Sequence, residues 1–145
     1  MFIATYPARI LREEDGHGFY VRFADLPEAL TGSDDLKDAL VQAADCLAEA
    51  LAGRIRRGDT IPVPSRLKRG QRSIGVPLHL APKLALYLAM RDQRLRNTEL
   101  AARLGVSETV VRRMLDPTHN TKPERIQTAL AALGKKIVVS FDDAA

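Results

Sequence analysis

An apolar stripe in the middle of the sequence constrains the fold more than any other feature. Between residues 34 and 57, apolar side chains recur at spacings of three and four: Leu36, Leu40, Ala43, Leu47, Leu51 and Ile55. This period predicts one long helix with a single apolar face, which Ser33 caps and whose first turn contains Asp34 and Asp35. Such a helix needs a second layer to cover its apolar face, and we expect that layer to be a β-sheet.

Alternating apolar residues on both sides of the helix predict the strands of this sheet. Three segments have this pattern: residues 2–12, 19–23 and 74–78. A charged turn joins the first two segments, and the prolines at positions 62 and 64 keep the chain extended after the helix. We therefore expect residues 1–78 to form an α+β domain with a three-stranded sheet and one long helix.

The residues after position 78 change to a helical composition. From Pro82 to Leu133 the chain is rich in Ala, Leu, Arg and Glu, and four helices are predicted: one that begins at Pro82, then residues 98–104, 108–115 and 122–133. Thr121 and Glu124 predict a capping box for the last helix. The β-branched and aromatic residues 136–141 predict a short strand or an arm. Residues 79–145 are thus expected to be an all-α domain with a short C-terminal strand.

Composition excludes several classes of protein. Cys46 is the only cysteine and the three histidines are far apart, so we expect no disulfide, no metal site and no cofactor. No apolar run approaches the roughly 20 residues of a membrane helix, and the N-terminus lacks the basic and hydrophobic segments of a secretory leader. A soluble, cytoplasmic protein is expected, with no membrane partner.

Charge is divided unevenly along the sequence. Residues 1–52 carry 4 basic and 10 acidic side chains, a net charge of −6, whereas the rest carries 18 and 8, a net charge of +10. A basic segment favours phosphate, RNA or DNA, because lysine and arginine displace counterions from a polyanion. The alternative is a solvated charged surface, and charge alone does not separate the two.

Residues 97–115 resemble a helix-turn-helix motif. Ala101 is small enough for two helices to cross closely, Gly105 can take the left-handed backbone of a tight turn, and Ser107 is predicted to cap the second helix. The predicted shared core is Leu100, Leu104, Val106, Val111 and Met114. The candidate DNA contacts are Ser107, Glu108, Thr109, Arg112, Arg113, Arg96 and Arg103. The alternative is an ordinary helical hairpin with solvated arginines.

The N-terminal half offers little for catalysis. Asp15, His17 and Asp25 lie close in sequence, but the first two fall in a charged turn, where solvated polar residues are the rule. The sequence has no nucleophile elbow, no phosphate-binding glycine loop and no acidic cluster suited to two metal ions. We therefore expect a protein that is not an enzyme. A nuclease would require RNA cleavage that is lost on His17→Ala.

Four short pieces of the first 65 residues form an ordered set: Tyr6–Ile10, Gly18–Pro27, Thr31–Ser33 and Ile61–Ser65. Together they resemble the HicB family of antitoxins, in which a helix-turn-helix is one of two known DNA-binding ends. The resemblance implies an N-terminal domain like an incomplete ribonuclease H fold, which binds and blocks a HicA-type toxin, a small ribonuclease that cuts mRNA. It also implies a C-terminal domain that represses its own operon as a dimer or tetramer.

The acidic N-terminal half is complementary in charge to such a toxin, whose RNA-binding surface must be basic. The predicted toxin contacts are Glu13, Glu14, Asp15, Tyr20, Asp25, Asp34 and Asp35. The expected partners are a HicA-type toxin, operator DNA and further copies of this chain, and residues 137–141 either pair with another protomer or cover their own domain. A free-standing transcriptional regulator whose N-terminal domain senses a small ligand is the alternative function.

Overall fold

The computed structural model describes residues 1–143 and has an α+β architecture. Within this range the elements are β1 (Thr5–Arg12), β2 (Phe19–Phe23), β3 (Leu30–Ser33), α1 (Leu36–Arg57), β4 (Arg72–Gly75), α2 (Ala81–Asp92), α3 (Asn97–Leu104), α4 (Glu108–Leu115) and α5 (Pro123–Ala132). The chain divides into two compact units. The first contains Met1–Arg54 and Asp59–Pro77, and the second contains Ile55–Gly58 and the chain from Leu78 onward.

The sheet has four antiparallel strands in the order β3-β2-β1-β4. The expectation of three strands was therefore wrong, because Leu30–Ser33 forms an additional edge strand beside β2. This strand was missed in the sequence analysis because Gly32 is typical of a break between regular elements. A Cβ at that position would lie 3.0 Å from the carbonyl oxygen of Phe19, so the glycine permits close approach of two strands.

The core of the first unit lies between one face of the sheet and the apolar stripe of α1. Alternate strand residues are fully buried, among them Tyr6, Val21 and Phe23. The predicted stripe on α1 is buried at Ala43 and Leu47, whereas Leu36, the first residue of the helix, is 37% exposed. The two buried faces agree with the expectation that a sheet covers the long helix, and burial of such apolar surface is the main favourable contribution to folding.

Polar side chains bind residues 60–65 to the rest of the first unit. The hydroxyl of Tyr6 donates a hydrogen bond to the carbonyl oxygen of Pro62 at 2.8 Å. Arg54 forms a bidentate ion pair with Glu28, with N–O distances of 2.7 and 2.9 Å. The same guanidinium group also donates to the carbonyl oxygen of Thr60 at 3.0 Å. This segment has no regular ladder of hydrogen bonds, so these contacts satisfy part of its backbone.

The start of α1 differs from the prediction at its cap. The helix begins at Leu36, and the backbone amide of Asp38 donates to the carboxylate of Asp35 at 3.4 Å. Asp35 thus holds the cap position that was expected for Ser33. The hydroxyl of Ser33 instead donates to the Asp38 carboxylate and accepts from the amide of Asp35. Asp34 and Asp35 precede the first turn of the helix, which contains Asp38.

The second unit is a helical cluster around one apolar core. The buried side chains come from all four of its helices and include Leu86, Leu100, Val111 and Leu130. The capping box predicted for Thr121 and Glu124 was wrong: Lys122 is the N-cap residue of α5, and no side chain caps this helix. The hydroxyl of Thr121 binds elsewhere, as described below.

The C-terminal tail is exposed in the single chain. No strand occurs in residues 135–143, and Val139 and Phe141 are 85% and 100% exposed. The described tail therefore does not bury these side chains against its own helical unit. A strand that pairs with another protomer cannot form in one chain, so that part of the expectation stays a prediction. Between residues 1 and 143, no helix combines the length and apolarity that crossing a membrane requires.

Candidate functional site

Two short helices of the second unit, α3 and α4, are joined by a tight turn. Gly105 ends α3 with a left-handed backbone, φ 67° and ψ 33°. Residues other than glycine adopt this conformation only at a cost in free energy. Ser107 follows with an extended backbone and occupies the N-cap position of α4. Its side chain makes no capping hydrogen bond, so the predicted position is correct whereas the predicted bond is absent.

The apolar residues between α3 and α4 give this pair a fixed geometry. Leu100 and Val111 are fully buried, and Ala101 and Met114 are nearly so. Val106 was expected in the same core but is 37% exposed, because it lies in the turn between the helices. The buried set leaves one side of α4 exposed to solvent.

The exposed side of α4 carries the residues that the sequence singled out. Arg112, Arg113 and Thr109 are exposed, and Glu108 is partly exposed. Arg112 donates a hydrogen bond to the carboxylate of Glu108 at 3.0 Å, one helical turn away. We call Ser107, Glu108, Thr109, Arg112 and Arg113 the α4 face; it presents cationic and hydroxyl groups that match phosphate oxygens and base edges.

Two further arginines lie on α3. Arg96, at the start of the helix, pairs with Glu99 at 2.7 Å, and Glu99 also accepts from the backbone amide of Arg96 at 3.3 Å. The hydrogen bonds from Arg96 hold the pKa of Glu99 below its ordinary value. Arg103 is exposed near the other end of α3. Both guanidinium groups can approach a polyanion from solvent.

Lys83 is a residue of this region that the sequence analysis missed. It lies in the first turn of α2 and is buried, and its ammonium group contacts the backbone at the end of α4. Its spacing was a usable signal, since Lys83 precedes Tyr87 by four residues and Met90 by seven on the buried side of α2. A lysine on an apolar helix face implies a specific partner for its charge.

Acidic residues of the first unit converge at one end of the sheet. Glu13, Glu14 and Asp15 are exposed in the turn between β1 and β2, where the Asp15 carboxylate accepts from the amide of His17 at 2.8 Å. A Cβ built on Gly18 would lie 3.5 Å from the Asp34 carboxylate, so this turn lies beside the segment that leads into α1. We call Glu13, Glu14, Asp15, Asp34 and Asp35 the acidic end.

The remaining two predicted toxin contacts lie elsewhere. Asp25 follows β2 at the opposite end of that strand, and its carboxylate accepts hydrogen bonds from the backbone and hydroxyl of Ser65. Its oxygens therefore hold the chain segment after α1. Tyr20 is partly buried in the middle of the sheet, opposite Leu11 of β1. The structure thus groups five of the seven predicted contacts.

The described residues give no support for a metal centre. Within residues 1–143, no three His, Cys, Asp or Glu side chains are arranged so that they could hold an ion. Cys46 is partly buried in α1, and burial raises the pKa of its thiol. A raised pKa leaves less of the reactive thiolate at neutral pH, which agrees with a packing role for this side chain.

Comparison with known proteins gives a consistent assignment. Residues 5–85 match the family described as HicB-like antitoxins of bacterial toxin-antitoxin systems. Antitoxin HicB 1 of Photorhabdus laumondii is 35% identical over 94% of this chain and 86% of that protein. Antitoxin HicB of Escherichia coli K12 is 34% identical over 91% and 95%, and its namesake in Pseudomonas fluorescens is 30% identical over 92% of both proteins.

Proposed function

This chain belongs to the HicB-like family of antitoxins, a non-enzymatic class of protein, and from that premise we propose two activities for it. The first unit binds and neutralises a HicA-type ribonuclease toxin that cuts mRNA. The second unit binds operator DNA and represses the operon that encodes both proteins. The observation that carries the proposal is the presence, in one antitoxin, of a localised acidic end and of an exposed cationic helix face.

The acidic end supports the proposal of toxin binding. An enzyme that grips RNA is basic around its active site, so a cluster of exposed carboxylates attracts it and competes with phosphate. Glu13 and Glu14 are both exposed in the turn between β1 and β2, and their side chains form no hydrogen bond or ion pair with the described part of the chain. They can therefore meet a partner without first losing an internal contact.

The α4 face supports the proposal of DNA binding. Residues 97–115 have the small residue, left-handed glycine and buried core of a helix-turn-helix, in which the second helix enters the major groove. Arg113 is exposed and has no hydrogen bond or ion pair through its side chain among residues 1–143. Its guanidinium group can donate to the O6 and N7 acceptors of guanine or to phosphate.

Self-association is the third part of the proposal. Helix-turn-helix proteins bind two half-sites of an operator as symmetric dimers. The exposed tail at residues 136–141 supplies a β-branched and aromatic segment with unpaired backbone groups, and we assign it to pairing with a second copy. A dimer or a tetramer would each satisfy the symmetry of the operator.

Growth rescue tests the toxin-binding activity. A short reading frame adjacent to the gene is the toxin candidate for this test. It is expressed alone and together with this protein, and we expect growth arrest in the first case, rescue in the second and a complex that co-purifies. Reversing charge at the acidic end, with Glu13→Lys and Glu14→Lys together, should weaken the rescue because it repels a basic toxin. Absence of both toxicity and a complex would favour the alternative of a ligand-sensing regulator.

A matched control separates a local effect from a change in net charge. Asp45 and Glu49 are exposed carboxylates on α1, away from the acidic end. The double variant Asp45→Lys and Glu49→Lys changes the net charge by the same amount and should rescue growth like the wild type. Equal loss of rescue in both double variants would remove the acidic end as the toxin contact.

A further inference from the structure

Lys83 has a complete set of partners inside the second unit. It is 3% exposed and is the one buried charged residue in the described part of the chain. Its Nζ donates to the carbonyl oxygen of Arg113 at 3.0 Å, to the carbonyl oxygen of Met114 at 3.3 Å, and to the hydroxyl of Thr121 at 2.9 Å. An ammonium group has three hydrogens, so these three acceptors satisfy it.

The position of these acceptors gives the lysine a specific role. Arg113 and Met114 belong to the last turn of α4, where the regular hydrogen bonds of the helix end. The carbonyl of Arg113 also accepts from the amide of Asp116, the C-cap residue, at 3.3 Å. That end of a helix also carries the negative pole of its dipole, which a cation stabilises. Lys83 therefore binds α2 to the carboxyl end of α4 through backbone atoms that do not depend on the exposed side chains.

Thr121 extends this attachment to the segment that leads into α5. Its hydroxyl accepts from Lys83, donates to the carbonyl oxygen of Arg113 at 3.2 Å, and lies 2.9 Å from Nδ1 of His119. Because a hydroxyl has one hydrogen, the bond to Arg113 requires His119 to donate from Nδ1. The carbonyl of Arg113 is thus held by two side chains from outside α4.

Burying a cation in this space costs free energy, because the charged group loses hydration. Burial lowers the pKa of Lys83, and the nearby Asp116 carboxylate only partly opposes that effect. An apolar side chain would fill the same volume without loss of hydration, and such replacements are often neutral or stabilising. A directional hydrogen-bond donor supplies something that packing cannot, namely a fixed rotation and axial position for the end of α4.

We propose that Lys83 is a positioning residue for operator recognition: by holding the carboxyl end of α4, it fixes the pose from which Arg112 and Arg113 address DNA. This inference rests on the DNA-binding activity proposed above. It differs from a contact role, because a buried ammonium group touches no phosphate. Removing it should therefore weaken selective binding while leaving the electrostatic attraction to DNA of any sequence.

The test compares Lys83→Met with Lys135→Met in the full-length protein. Lys135 is an exposed lysine that follows α5, so both variants lose one charge and only one loses the attachment. Fluorescence anisotropy measures binding to a duplex from the region upstream of the gene and to a scrambled duplex of equal length. We expect Lys83→Met to lower affinity for the upstream duplex about tenfold relative to Lys135→Met, with equal affinity of both variants for the scrambled duplex.

The salt dependence of binding distinguishes positioning from contact. Loss of a phosphate contact lowers the slope of log affinity against log salt by about one, whereas loss of positioning leaves the slope of Lys83→Met equal to that of Lys135→Met. A lower slope in Lys83→Met alone would overturn the proposal. So would equal selectivity of the two variants when the wild type prefers the upstream duplex, and that result would leave the proposed DNA binding intact.

A milder pair of variants keeps the proposal testable if Lys83→Met does not fold, which circular dichroism reports. Thr121→Val removes one acceptor of the lysine at similar volume, and Thr121→Ser keeps the hydroxyl. We expect reduced selectivity for Thr121→Val and recovery for Thr121→Ser. Wild-type selectivity in Thr121→Val would overturn the proposal, and a wild-type protein that does not prefer the upstream duplex would overturn the proposed DNA binding together with it.

Discussion

At the scale of single residues, the two arginines in the last turn of α4 are not equivalent. Arg112 forms an ion pair with Glu108 at 3.0 Å, whereas the exposed Arg113 side chain has no such partner within residues 1–143. Arg113→Ala should therefore weaken operator binding by about 1–3 kcal/mol, the usual value of a base contact. Arg112→Ala should cost less, because Arg112 must first leave its internal ion pair. Anisotropy titrations of both variants would measure the order, and a larger loss for Arg112→Ala would contradict it.

Tyr6 gives a second prediction at this scale, in the dependence of stability on pH. Burial, and secondarily the Asp25 carboxylate, raise the pKa of Tyr6 to about 12 from an ordinary value of 10.0. The neutral phenol is thus favoured in the folded state, and its bond to Pro62 should contribute about 1 kcal/mol below pH 10. This advantage is lost as pH rises from 10 through 12.

Urea unfolding of the wild type and of Tyr6→Phe between pH 8 and pH 12 measures this effect. The difference in unfolding free energy between the two proteins should be constant below pH 10 and should shrink above it, while titration of lysines affects both alike. A difference that persists to pH 12 would show that the phenol is not held in its neutral form.

Side-chain caps were the residues that sequence reasoning placed least well. Ser33, Ser107 and Thr121 each stand near a helix start, which is the signal for an N-cap, yet none of them caps its helix. Asp35 competes successfully with Ser33, and Thr121 is drawn to the Lys83 ammonium group. Sequence spacing identifies a residue that can cap, whereas the choice among several acceptors depends on neighbours that only the fold brings together.

At the scale of elements, the turn between α3 and α4 depends on the backbone of one glycine. Gly105 has φ 67°, and a Cβ there would meet no atom within 4 Å, so substitution costs backbone strain alone. Gly105→Ala should lower the unfolding free energy of the helical unit by about 1–2 kcal/mol, and Gly105→Asn by less, because asparagine tolerates the left-handed region. Thermal unfolding of both variants checks this, and equal loss in the two would argue against strain as the cause.

The long helix and the helices of the second unit were predictable, whereas β3 was not. Periodicity of 3.6 residues persists over many turns of α1, so one irregular position does not obscure it. The four residues of β3 contain Gly32 and an exposed Leu30 at the edge of the sheet. The strand exists because β2 offers its unpaired edge, and such long-range pairing leaves little trace in local sequence.

At the scale of the whole molecule, the two folded units differ less in net charge than residues 1–52 and the rest of the sequence do. The first unit carries 9 basic and 11 acidic side chains, a net charge of −2, and the second carries 13 and 7, a net charge of +6. The basic residues 66–72 fall in the first unit, which offsets its acidic residues. The proposed attraction of a basic toxin therefore rests on the local acidic end, since the net charge of the unit is small.

The C-terminal tail leads to a prediction about assembly. If residues 136–141 pair with a second copy, the double variant Val139→Asp and Phe141→Asp should shift the protein toward monomers, because charges on a paired strand oppose association. Val63→Asp, at another highly exposed apolar position, is the control and should leave assembly unchanged. Sedimentation velocity measures the outcome, and an unchanged oligomer in the tail variant would move the interface elsewhere.

The central claim is that this antitoxin blocks the nuclease activity of its toxin by direct binding. The most direct test measures mRNA cleavage by the purified toxin while this protein is added in increasing amounts. We predict that cleavage falls in proportion to the added protein and stops near the stoichiometry of the complex. Undiminished cleavage in the presence of a molar excess of folded protein would contradict the account.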